Sequence, residues 1–87
     1  MIAYLNLENY VKNIIRDCIT YEGYIEGGHL RYMVDLYLAA RFSGIEFAPC
    51  EINEEDILKV SYKQEGSFSW EHKYFNIQEI IKEYLER

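Results

Sequence analysis

The sequence predicts an α+β domain in the order ααβββα, with an antiparallel sheet of two or three strands packed on three helices. Three observations carry this reading. Leu7, Val11, Ile14, Ile15 and Cys18 recur at helical spacing. Residues 57–75 read as two alternating runs around Gly66. Residues 75–81 hold a nearly complete set of helix-start signals. All lie in a chain of 87 residues with one proline, no internal repeat and no linker, so residues 1–87 are read as a single domain.

The first helix is expected over 7–19, with Asn6 as its N-cap and Lys12, Asn13, Arg16 and Asp17 facing away from the apolar stripe. Residues 20–28 hold three glycines and two tyrosines and read as a connector. A second helix is expected over 29–43, ending before Gly44 in a left-handed position. Leu30, Met33, Val34, Tyr37 and Leu38 make its main stripe, and Tyr32, Leu36, Ala39 and Ala40 widen it. A helix apolar on most sides is central or sits at an interface, so this one is expected to be the core helix.

Residues 45–48 alternate and then meet Pro49, which predicts a short edge strand. Asn53–Asp56 reads as a capped turn. The hairpin is expected over 57–63 and 67–75 around a loop of Gln64, Glu65 and Gly66. That register sets Tyr62 opposite Phe68, Val60 opposite Trp70, Leu58 opposite His72 and Lys59 opposite Glu71, with the Trp70 face packed on the helices. The last helix is expected over 77–86. Asn76 caps it, Glu79 is at N3, and Phe75 with Ile80 forms a hydrophobic staple. Ile77, Ile80, Ile81, Tyr84 and Leu85 form its buried stripe.

Composition excludes several classes. The net charge is −6, from 15 acidic and 9 basic side chains, which is the wrong sign for a phosphate-backbone binder. The first residues lack a basic stretch followed by an apolar one, and no run approaches the ~20 residues that span a bilayer. A cytoplasmic protein with no membrane association is expected, with Cys18 and Cys50 as reduced thiols. A Cys18–Cys50 bridge is the alternative, and it needs a Cα separation that spacing does not reveal.

Chemical motifs are sparse. Cys18, His29, Cys50 and His72 are scattered one per element, whereas zinc sites show short paired spacings. Cys50 lies among Glu46, Glu51 and Glu54, whose charge raises a thiol pKa and opposes nucleophilic use. Gly27-Gly28-His29 opens a helix but lacks the rest of a phosphate-binding fingerprint, and Glu26 repels an anion there. The connector of nine residues is too long for a helix-turn-helix. No catalytic residue, metal ligand or cofactor is therefore assigned.

The informative feature is the segment from Glu46 to Asp56. It holds Glu46, Glu51, Glu54, Glu55 and Asp56 and no base, while the rest of the chain holds ten acids and nine bases. No Asp-x-Asp-x-Asp-Gly calcium pattern is present, so the expected partner is a larger basic protein, with no direct contact to nucleic acid. Tyr4, Tyr10, Tyr21, Tyr24 and Tyr32 exceed what the helical stripes bury. Tyr21 and Tyr24 are assigned with the five carboxylates to the partner-binding surface. Two alternatives stand beside this: a homodimer through the apolar surface of helix 29–43, and a small-molecule binder or minor enzyme with a polar pocket near His29 or His72.

In size and charge, and in its richness in Ile, Asn, Glu, Lys and Tyr, the chain is similar to small acidic α+β proteins encoded by phages and other mobile elements of AT-rich bacteria. The resemblance implies inhibition of a host defence nuclease, such as a CRISPR effector or a restriction enzyme, by carboxylates placed where nucleic acid binds. It covers no motif and transfers no residue role.

Overall fold

A computed structural model describes residues 2–86, with side chains described from residue 6 onward. Seven elements follow one another: α1 (Ile2–Asp17), α2 (Gly27–Arg41), β1 (Ile45–Phe47), β2 (Glu51–Ile52), β3 (Ile57–Gln64), β4 (Glu71–Asn76) and α3 (Ile77–Leu85). The domain is α+β, and its sheet counts four strands because a second short edge piece, β2, joins the three expected.

α1 buries the expected stripe, with Leu7, Val11, Ile14 and Ile15 at 5% exposure or less. It starts earlier than Asn6, which lies inside it and is exposed. Residues 2–5 contain no breaker, so nothing halts the helix there. It closes as the Cys18 N–H is shared between the Ile14 and Ile15 carbonyls.

α2 begins two residues before the expected start, because Glu26 caps it. The Glu26 carboxylate accepts from the Gly28 and His29 N–H groups at 3.0 and 2.6 Å, which places both glycines in the first turn. At the other end Phe42 is the C-cap, and Gly44, with φ +78°, lies in the turn beyond it. Burial on α2 is one narrow line, Leu30, Val34 and Leu38, each at 1% or less. Tyr32, Leu36 and Tyr37 are 41–64% exposed. The broad apolar surface read as central is therefore largely on the outside.

β3 is the middle strand, and every sheet contact runs through it. β4 pairs along one side of it from Ile57 to Tyr62. β1 and β2 lie end to end along the other side. Their registers differ by one residue: Phe47 faces Tyr62, but Glu51 faces Lys59. The extra residue is a β-bulge between Ala48, whose N–H still reaches the Ser61 carbonyl, and Cys50. Pro49 sits in it, where no ladder donor is required. The bulge restores the face: Ile45 and Phe47 before it and Cys50 and Ile52 after it all pack on the core.

The hairpin forms in a different register. Leu58 faces Phe75, Val60 faces Lys73, Ser61 faces His72 and Tyr62 faces Glu71, a slip of three residues from the expected pairing. Phe68 is then 96% exposed and Trp70 44%, in the long loop, and the Trp70 face does not cover the helices. Phe75 takes the core position instead, at 3%. His72 is exposed and bonded to Ser61, not packed near Leu58, and Glu71 does not meet Lys59. A three-residue loop satisfies the hairpin locally. The observed register also buries Phe75 and leaves Asn76 free to cap α3, which accounts for its preference.

Asn76 accepts from the Glu79 N–H at 3.1 Å as expected of the cap. Ile77, Ile80 and Ile81 are buried, while Tyr84 and Leu85 are 46% and 59% exposed in the last turn. The core thus lies between one face of the sheet and the three helices, while Trp70, His72 and Tyr74 on the other face are exposed among the described residues.

Candidate functional site: the acidic turn

The five acidic residues sit along the bulged edge and the turn that follows. Glu46 points outward from β1, opposite Lys63, with a nitrogen–oxygen distance of 3.4 Å. Such a surface pair contributes about 0–1 kcal/mol. The bulge places Glu51 on the same outer face, opposite Lys59. The turn is built by Asn53, whose side-chain oxygen accepts from the Glu55 and Ile57 N–H groups at 2.9 and 3.0 Å. Asp56 closes it in a left-handed conformation, φ 58°, and donates its N–H to the Asn53 carbonyl.

This geometry divides the five carboxylates. Asp56 ties the turn to α3: its carbonyl accepts from Ile77 N–H at 3.0 Å and its carboxylate from Gln78 Nε2 at 2.9 Å. Glu46 is held by Lys63. Glu51, Glu54 and Glu55 are exposed and make no ion pair among the described residues. Glu54 and Glu55 form the tip, beside a shallow depression lined by Ile52 and Asn53.

Tyr21 and Tyr24 come from the α1–α2 connector. A local turn orders it: Thr20 N–H donates to the Tyr24 carbonyl at 2.8 Å, and Gly23 takes φ +88°. Tyr21 is fully exposed and Tyr24 is 54% exposed. The connector itself lies beside the end of α3, where a Cβ on Gly23 would lie 3.5 Å from Leu85 Cδ1, while α2 begins near the acidic edge, with a Cβ on Gly27 3.8 Å from Ile52 Cδ1. No hydrogen bond or ring contact joins Tyr21 to the carboxylates among the described residues. The other tyrosines divide as well. Tyr10 is half-buried in an edge-to-face contact with Phe42 at 5.6 Å, Tyr32 is exposed, and the Tyr4 side chain lies outside the described residues.

The remaining chemical groups are held in structural roles. Cys50 is part of the core, 4% exposed, with its N–H donated to Asp35 Oδ1 at 3.0 Å and its thiol directed at the Arg31 carbonyl. Burial first, then the hydrogen bond and charge of Asp35, push the thiol up to about 12. Cys18 is also pushed up, by burial and then by Asp17. Both cysteines are free. Cys18 and His29 line a groove of about 460 Å³ between α1 and α2 with Tyr10, Met33 and Tyr37. A thiol raised in pKa is poorly suited to attack from there. The N–H groups that open α2 are already taken by Glu26, whose own acidity those bonds increase.

One surface was not legible in the sequence. Trp70, His72 and Tyr74 share the outer sheet face with Lys59 and Lys63, and Lys63 Nζ lies 5.2 Å from the Trp70 ring centre. Only the three-residue slip of the hairpin brings them there. Compared with known proteins, the chain matches no protein-family model, no curated protein and no solved structure.

Proposed function

We propose that the protein is a small non-catalytic binding domain that docks its acidic turn on a basic, nucleic-acid-binding surface of a larger protein. The observation that carries this reading is the exposed, rigidly built tip. Asn53 fixes the backbone, and Glu51, Glu54 and Glu55 remain after internal partners have taken Glu46 and Asp56. The ordered backbone of the turn lowers the ordering cost of docking, which then falls mainly on the Glu side chains themselves. Tyr24, half exposed on the connector that leads into α2, offers apolar surface to the same partner. The partner class that the sequence resemblance brings in is a defence nuclease, and its nucleic-acid groove has the required charge.

Calorimetric titration against such nucleases, with and without bound nucleic acid and at rising salt, tests the reading. Binding should compete with nucleic acid and weaken with salt, and E51K/E54K/E55K should abolish it. Binding that survives the triple reversal would refute the docking role of the turn.

A second reading rests on α2. Tyr32, Leu36 and Ala40 lie on the side opposite the buried Leu30–Val34–Leu38 line, and all three are exposed. An outward apolar line of this kind suits self-association. L36E should then dissociate a dimer seen by light scattering.

A further inference from the structure

The two edges of the sheet are unlike. The β1–β2 edge is interrupted by the bulge and by Pro49, which blunts it against strand addition. The opposite edge is β4, six residues in regular pairing with β3, and no other segment bonds to its backbone among the described residues. Every second N–H and C=O along it faces outward, which makes it a template for one more strand.

We propose that this edge pairs antiparallel with the same edge of a second copy, about a twofold axis through His72. The side chains choose both the occupant and the register. With His72 opposite its counterpart, Glu71 falls opposite Lys73 of the second copy, and Lys73 opposite Glu71. Both lie on the inner face of the sheet, because their β3 partners Tyr62 and Val60 are buried. Neither has an ion-pair partner within the chain among the described residues. On the outer face Trp70 falls opposite Tyr74, again twice. Trp70 is 44% exposed and Tyr74 64%, so each has surface to bury. A neighbouring register that puts Lys73 opposite itself loses the charge match and sets like charges together. The His72 register alone satisfies the charges and the aromatics at once, which is what a self-complementary twofold interface requires. The result is a continuous sheet through two domains, with the helices of both on one side.

This inference is independent of the acidic turn and of α2, and charge exchange separates them. Sedimentation equilibrium of the full chain at low salt should show a dimer. E71K alone and K73E alone should each weaken it on the order of tenfold or more, because two attractive cross-strand pairs become repulsive. Mixing the two variants should restore association, since every pair in the mixed dimer is again Lys with Glu. Y74E, at an exposed position that leaves the fold intact, should also weaken it, and L36E should not. A monomeric wild type, a dimer indifferent to both reversals, a mixture no better than its components, or a dimer dissolved by L36E alone would each overturn the proposal.

Discussion

Phe75→Ala and Phe68→Ala make the same chemical change at two positions of one hairpin, and the structure expects very different costs. Phe75 is 3% exposed and lies opposite fully buried Leu58. Its removal forfeits the transfer free energy of the ring and leaves a cavity, together about 3–5 kcal/mol. A domain of this size is stable by roughly 5–15 kcal/mol, so F75A loses a fifth or more of it. Phe68 is 96% exposed. F68A should change stability by no more than ~0.5 kcal/mol in either direction. Urea unfolding followed by far-UV circular dichroism measures both, with the slope checked for constancy. If F75A is too unstable to fold, F75L should still cost about 1–1.5 kcal/mol. Equal costs at the two sites, or a larger cost at Phe68, would refute the observed register and favour the three-residue loop.

The cap on α3 gives a second expectation: N76A should lose about 1 kcal/mol in the same assay, since it removes the acceptor for Glu79 N–H. At the start of α2, backbone hydrogen bonds from His29 and then Gly28 lower the Glu26 pKa from 4.5. A lowered carboxylate stabilises the fold fully above its ordinary pKa and loses that contribution as pH falls through the folded value. Protection of the Gly28 and His29 amides relative to their intrinsic exchange rates should therefore fall below about pH 4.5, and E26A should show the reduced protection at neutral pH. For Cys50 the sign is opposite, since its thiol is raised from 9.0 to about 12. The unfolded chain ionises first, so stability falls with pH across that interval, and the excess slope should vanish in C50A. Thiol labelling near pH 8 should reach Cys18 before Cys50, and urea should make them equal.

Local signals were read well because their physics is local. The α1 stripe, the Asn53–Asp56 turn and the Asn76 cap each depend on residues within four positions of one another. The hairpin register was not legible, because Phe75 wins its core place through helices distant in sequence, while Gly66 fits a short loop equally well. The α2 surface misled for a related reason. Tyr32, Leu36 and Ala40 have core composition, and only the position of the sheet leaves them exposed among the described residues. Of the candidate site, the location of the charges was readable, but their division was not. Asp56 is committed by its bond to Gln78 and Glu46 by Lys63, partners 22 and 17 residues away in the chain.

The bulge at Ala48–Cys50 has a consequence for how this segment can vary in length. It absorbs a surplus of one residue, and that absorption keeps Cys50 and Ile52 inward and Glu51 outward. Deleting that surplus residue would make the ladder regular and keep those faces, whereas deleting two would exchange them, burying a carboxylate and exposing two core side chains. Relatives of this chain should therefore lose one residue here more readily than two, a parity rule that substitution patterns alone do not express.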